Sequence, residues 1–271
     1  MKKIVLFGLS EIEQIMQHAS LKNFNFSFYV FDTEERNIEA GKKSNITFIT
    51  GDVRVSKQVF DALKESKCAL IGELEKNYEV LGVKNIIEAC QFHGIERIIY
   101  LSTILSDVPE QNLPFINRKK ICEKLIRSSG IPFAIIKGCF TSSFLKNFIL
   151  HGKAYYNNSK IYFTDAKQLA EKITNILLSS LETGNEFLII NSDSIYLKDA
   201  LSNFIEEQEQ HNVSLKKYGY YDTIKMKLTN SGKDVKEAFE LLNFFRDTFA
   251  VDGNEKVIAS TRDGISVNVN G

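Results

Sequence analysis

The 271-residue chain is long enough to bury a large core, and its 34 basic and 34 acidic side chains cancel. That balance excludes a global field drawing the protein onto nucleic acid or an anionic membrane, and leaves a small-molecule ligand or a locally recognised protein partner. No apolar run approaches a membrane span, and the five-residue run after the first two lysines is too short for the core of a signal peptide, so a cytoplasmic protein is expected.

Short β-branched runs alternate with helical periodicity through the first half of the chain, the pattern of a parallel sheet covered on both faces. Strands are predicted at 3–7, 26–32, 46–50, 68–72, 97–102 and 132–137. A helix is predicted over 80–90, where Val80, Val83, Ile86, Ile87 and Cys90 form one apolar stripe, and another over 118–129. Gly94 and Gly130 stand where helix C-caps belong. After Gly138 the run "CFTSSFLKNFILHGKAYYNNSKIYF" is aromatic, polar and weakly periodic. A helix over 165–180, a strand at "EFLII", an amphipathic helix in "SIYLKDALSNFIEEQEQH" and a helix over 234–249 follow. The expected fold is α/β, a doubly wound parallel sheet over 1–150 with a small α/β lobe over 151–250 that mixes with a return to the main sheet. Residues 251–271 read as a tail with turn signals.

Several chemistries find no support in the residue pattern. Cys68, Cys90, Cys122 and Cys139 lie far apart and mostly inside apolar patterns, as reduced core residues do; His18, His93, His151 and His211 share no ligand spacing, so no metal is expected. There is no Gly-x-Ser-x-Gly elbow and no Walker loop. The aromatics and lysines of "GKAYYNNSKIYF" suit a cleft loop or core better than a nucleic-acid surface in a neutral chain. Asp165 reads as a helix N-cap.

In their order and spacing, "GDVRVSKQVFDAL", "VLGVKNIIEACQFHGIERIIYLST" and "KKICEKLIRSSGIPFAIIKGCF" resemble the atypical short-chain dehydrogenase/reductase families, above all the NmrA-like proteins, over about residues 1–200. The resemblance implies a Rossmann-type sheet, an NAD(P) site at the strand carboxyl ends and a small lobe over a substrate or partner cleft. It does not fix function, because such families include reductases, isomerases and non-catalytic redox sensors.

The family's phosphate loop, Gly-x-x-Gly-x-x-Gly, falls on Gly8, Glu11 and Gln14, so only the first glycine is present. A carboxylate about 4 Å from a phosphate costs about 4 kcal/mol at an effective dielectric of about 20, roughly a thousandfold in affinity. Alternatively Glu11 turns outward and complements the helix dipole, with Ser10 as N-cap. After strand two, Asp32 suits the ribose hydroxyls of NAD, and Glu34 and Glu35 disfavour NADP unless Arg36 turns in; the alternative is a solvated turn. Asp52 and Val53 match the segment that meets adenine, and Asp52 also reads as a helix N-cap.

The Tyr-x-x-x-Lys template falls on "FINRK", with Phe115 in the tyrosine position and Lys119 in the lysine position. Phenylalanine has no proton to give. Lys119 either meets a ribose hydroxyl or, as part of "RKK", belongs to a solvated helix face, the reading slightly favoured. Ser102 and Thr103 follow strand five as the template asks, to bind a substrate carbonyl or to cap the strand end. Alternation does not place Tyr100 near the cleft.

Losing two glycines and the tyrosine together favours a non-classical nucleotide-binding, small-ligand-binding or regulatory protein, monomeric or homodimeric, with NAD over NADP if a dinucleotide binds. The alternatives are an NAD(P)-dependent oxidoreductase or isomerase with another proton source, and a cofactor-independent cyclase or isomerase acting on a small metabolite.

Overall fold

A computed structural model describes residues 2–8, 26–33, 46–107, 113–138, 142–162, 164, 166–179, 184–188, 194–209, 212–218 and 233–249. The expectations for Ser10, Glu11, Gln14, Arg36, His18, Cys139, Asp165, His211 and the tail from Val251 lie outside them. The chain divides into two compact units. The first comprises 1–106, 115–138 and 164–189, and the second the remaining segments.

The first unit is built on a seven-stranded sheet. In chain order its strands are β1 (Lys2–Phe7), β2 (Phe26–Asp32), β3 (Ile46–Thr50), β4 (Cys68–Ile71), β5 (Arg97–Thr103), β6 (Phe133–Gly138) and, after the second unit's first segments, β10 (Asn185–Leu188). All pair in parallel, in the order β10-β6-β5-β4-β1-β2-β3. The order reverses between β1 and β4, and in such sheets a ligand crevice opens beyond the strand carboxyl ends at that reversal. The doubly wound parallel sheet expected from the sequence is therefore the fold observed.

Alternation along the strands sorts the core into two layers. Ile4, Leu6, Phe28, Leu70, Ile99 and Ile136 face Leu169, Ala170, Ile173 and Ile176 of a helix at Ala166–Leu178. On the other face Val5, Phe7, Phe31, Ile71, Ile98, Tyr100 and Ile135 meet residues of three helices. These are α1 (Ser56–Leu63), α2 (Glu79–His93) and α3 (Pro114–Arg127); the Ala166–Leu178 helix is α4. With both faces covered, the strands read as continuous apolar runs, and every residue of β4 is buried. α2 ends at Gly94, whose left-handed φ of 62° lets its N–H reach back to the carbonyls of Cys90 and Gln91. α3 starts four residues before the predicted Arg118, because Pro114 fits the first helical turn, where its missing N–H costs nothing. Cys68, Cys90 and Cys122 are free and buried, and burial pushes the thiols of Cys68 and Cys122 up to about 12.

The second unit holds β7 (Ile149–Leu150), β8 (Lys153–Tyr156) and β12 (Ser214–Lys217) in one sheet and β9 (Lys160–Tyr162) with β11 (Ser194–Tyr196) in another. Helices α5 (Leu197–Glu207) and α6 (Lys233–Phe249) complete it. Phe239 of α6 stacks on Tyr218 at 4.8 Å and meets Tyr155 edge-on at 5.1 Å. Asn157 ties α6 to the chain before β9 by donating Nδ2 to Leu242 O at 2.7 Å.

Gly51 ends the β3 edge with no room for a side chain: a Cβ there would stand 2.4 Å from Cζ of Phe31, a ring packed at 5.2 Å against Phe7. Gly51→Ala is expected to overpack this contact and destabilise the protein by about 1–3 kcal/mol, read as a lowered urea midpoint with an unchanged slope. An unchanged midpoint would contradict the packing described.

Candidate functional site

The crevice side of the sheet is bounded by the ends of β1, β2, β3 and β4. Gly8 leaves β1 with φ of 63°, and a Cβ on it would stand 2.5 Å from the carbonyl oxygen of Glu73 and 2.7 Å from Leu74 Cδ2. The chain after β4 thus lies directly on Gly8, and glycine is needed both for the turn and for this approach. Leu74 also reaches toward Gly82 of α2, where a Cβ would meet Leu74 Cδ1 and Val53 Cγ2, each at 3.0 Å. Leu74, Val53 and the two glycines form one tight apolar contact at the strand ends.

Asp32 closes β2. Its Oδ1 accepts the Thr33 N–H at 2.7 Å and the Thr33 hydroxyl at 3.3 Å. A carboxylate offers about four acceptor sites, so this turn contact and a ribose contact are compatible. Asp52 is not the N-cap of α1; Val55 stands there without a side-chain cap bond. Asp52 instead accepts Arg54 N at 2.8 Å and Arg54 Nε at 2.7 Å, and these hydrogen bonds hold its carboxyl below the usual range. The Arg54 guanidinium lies 4.4 Å from the centre of the Tyr78 ring. Val53 is half-buried, and its carbonyl accepts Asn85 Nδ2 at 2.8 Å.

Lys119 does not belong to a solvated helix face. It is 3 % exposed, and its Nζ lies 2.6 Å from Oε1 of Glu79, itself 3 % exposed at the start of α2. Periodicity explains the placement, because Ile116, Lys119, Glu123 and Ile126 recur at helical spacing on the face of α3 turned to the sheet, and all four are buried. The Tyr100 hydroxyl donates to the same Glu79 oxygen at 3.2 Å, Arg118 Nε lies 3.7 Å from the other oxygen, and Lys119 Nζ reaches Leu101 O at 3.4 Å. Burial pulls the Lys119 pKa down, but the carboxylates of Glu79 and Glu73 outweigh it and hold the ammonium above its ordinary value. Burial, and then the charge of Glu79, push the Tyr100 phenol well above its usual value. Phe115 is half-buried one turn before Lys119.

Ser102 and Thr103 separate in role. The Ser102 hydroxyl donates to Oε1 of the buried Glu123. Thr103 Oγ1 accepts Leu105 N at 3.3 Å, which is the cap. Glu123 Oε2 also meets Arg127 at 2.7 Å and Lys137 of β6 at 3.5 Å, and both cations reach Glu186 of β10, at 2.7 Å and 3.2 Å. Tyr100, Ser102 and Lys137 lie on the sheet face that α3 covers, and two linked ionic groups fasten that helix to the sheet.

Chemically, this arrangement supplies a glycine turn and a carboxylate at the strand ends, and a lysine whose charge is already satisfied. It brings Lys119 to Glu79 and Ser102 to Glu123, and joins neither to Asp32 or Asp52. Glu79, Glu123, Lys137 and Leu74 were missed by the motif reading. Charged residues embedded in the 116–126 apolar stripe were the available signal for two of the buried ions. No group of three or more His, Cys, Asp or Glu able to hold a metal occurs among the described residues, and no described helix is long and apolar enough to cross a membrane.

The sequence model of the NmrA-like family matches residues 7–172. Among solved structures, a nucleoside-diphosphate-sugar epimerase from Staphylococcus aureus superposes with a TM-score of 0.64 at 14% identity, covering 91% of this chain and 90% of that one. The Citrobacter sp. triphenylmethane reductase complexed with NADP(H) gives 0.63 at 12% identity, with 90% of each chain covered. A Bordetella bronchiseptica enzyme in complex with NAD+ gives 0.59 at 13% identity, covering 91% of this chain and 99% of that one. At these identities the likeness is one of fold. No curated protein sequence matches the chain significantly.

Breaking the Glu79–Lys119 pair from one side strands a buried charge. Glu79→Ala is expected to cost about 3–5 kcal/mol, whereas Glu79→Met with Lys119→Met is expected to be neutral or stabilising. Equal losses in urea unfolding would contradict this. The Lys119 and Tyr100 pKa values are both raised on folding, so the unfolded chain releases these protons first as pH rises. Their contribution is intact below about pH 10 and is lost toward the folded values. Wild type is therefore expected to lose more stability than Tyr100→Phe above about pH 10; parallel curves would contradict that.

Proposed function

The chain belongs to the NmrA-like family, and from that premise we propose that it is a regulatory protein that binds a nicotinamide dinucleotide or a comparable small ligand and does not perform tyrosine–lysine hydride chemistry. One observation carries this reading: Lys119, in the template's lysine position, is buried on Glu79 at 2.6 Å while Phe115 stands in the tyrosine position. A proton-donating tyrosine needs a hydroxyl and a neighbouring cation to lower its pKa. Here the hydroxyl is missing and the cation's field is spent on a carboxylate. The template's serine is likewise hydrogen-bonded to Glu123 in the core.

Dinucleotide binding is supported by the family, by similarly folded proteins whose structures hold NADP(H) or NAD+, and by two residues that fit. Gly8 leaves β1 with the left-handed φ that a phosphate-loop turn needs, and would let backbone approach a pyrophosphate there. Asp32 at the end of β2 suits a ribose diol, and its charge would repel a 2′-phosphate, favouring NAD over NADP. When bound, such a group supplies a hydride donor or acceptor; the chain's own residues would hold its ribose and exclude water. The ligand-bound form would be read by a protein partner in the cytoplasm.

Calorimetric titration with NAD+, NADH, NADP+ and NADPH tests the reading. An NAD form is expected to bind, adding about 2.7 kcal/mol of stability at about a hundred times its dissociation constant, and Phe115→Tyr is expected to gain no reductase turnover with NADH bound. Silence from all four dinucleotides would overturn dinucleotide binding, and turnover by Phe115→Tyr would overturn the claim that Lys119 is withdrawn.

A further inference from the structure

The opposite end of the sheet, where the strands begin, carries a second feature. Neighbouring strands β2, β1, β4 and β5 start there at Phe26, Lys2, Cys68 and Arg97, and a groove of about 330 Å³ runs across these starts against the end of α4. Clefts of about 300 Å³ and above are of small-ligand size. Ile4, Phe26 and Cys68 lie beneath the groove and are buried, so its apolar surface comes mainly from a wall of Leu177 and Leu178, with Leu178 about half exposed at 51%.

The mouth is cationic. Lys2, Lys67 and Arg97 line it against a single carboxylate, Glu96, which Lys67 meets at 2.7 Å. Glu96 is held below its usual pKa by that hydrogen bond and, less strongly, by the charges of Lys2 and Arg97. The carbonyls ending α4 would place negative potential here, but Arg97 covers them, donating Nη1 to Ile176 O and Nη2 to Ser179 O. Its Nε is buried and has no hydrogen-bond partner among the described residues. After the pair with Glu96, positive charge is in excess beside the wall of Leu177 and Leu178.

We propose that this groove binds a small amphipathic monocarboxylate, an aliphatic or aryl acid, with its apolar part along Leu177 and Leu178 and its carboxylate at Lys2, Lys67 and Arg97. A phosphate dianion is disfavoured by Glu96 at the mouth, and a neutral lipid leaves the lysines unused. The site lies at the strand amino ends and is independent of the dinucleotide reading.

Octanoate is the probe, with acetate and 1-octanol as single-feature controls, titrated by calorimetry into wild type, Lys67→Glu and Leu178→Asp. Both substituted side chains are exposed, and melting temperatures confirm that the variants fold. Octanoate is expected to bind wild type at least about tenfold tighter than either control, and each variant to weaken it about tenfold or more. The proposal is overturned by octanol matching octanoate, by unchanged affinity in both variants, or by no octanoate heat up to about 10 mM, the range of the weakest specific binding.

Discussion

A lysine ammonium and a glutamate carboxylate meet at 2.6 Å between α2 and α3, with the Tyr100 hydroxyl on the same carboxylate oxygen. Two charges taken out of water demand close geometry and further hydrogen bonds, and the chain provides both. Glu79 sits in the first turn of α2, where a carboxylate complements the helix dipole. Lys119 finds the carbonyl of Leu101 as well. The pair constrains the rest of the unit, because α2, β5 and α3 must keep their positions for either charge to stay satisfied. It also buries Lys119, the side chain in the lysine position of the tyrosine–lysine template, in the core.

The neighbouring ionic group has the same architecture. Glu123 gathers Ser102, Arg127 and Lys137, and Glu186 on the edge strand β10 shares the two cations. Burial opposes the ionised form of Glu186, but its contacts with Arg127 and Lys137 outweigh that and lower its pKa. One helix face thus carries two acid–base clusters a turn apart, and each takes up a residue that the family template would turn toward a ligand. Both clusters fasten α3 to the sheet.

The sheet was legible because a parallel sheet buried on both faces writes itself as separated apolar runs: β2 and β3 have the predicted limits and the other strands differ by one or two residues. Helix α3 was legible in period but not in start, which lies four residues before the predicted one, at Pro114. The fate of Lys119 was not legible from "RKK". Its partner stands forty positions away on another helix, and only the packing of α2 against α3 brings Glu79 within reach. Asp52 could not be assigned because a short-range bond to Arg54, two residues on, competes with the cap. Leu74 carried no motif, and its contact with Gly8 and Gly82 exists only in the fold.

The most direct test is to observe the Lys119 ammonium itself by 1H–15N NMR of the lysine side chains, assigned by its loss in Lys119→Arg, without and with saturating NADH. A buried ion pair predicts a solvent-protected signal that persists above the ordinary lysine pKa of about 10.4 and is unmoved by the dinucleotide. A signal in fast exchange with water, or one that shifts when NADH binds, would place Lys119 at the ligand and contradict the account.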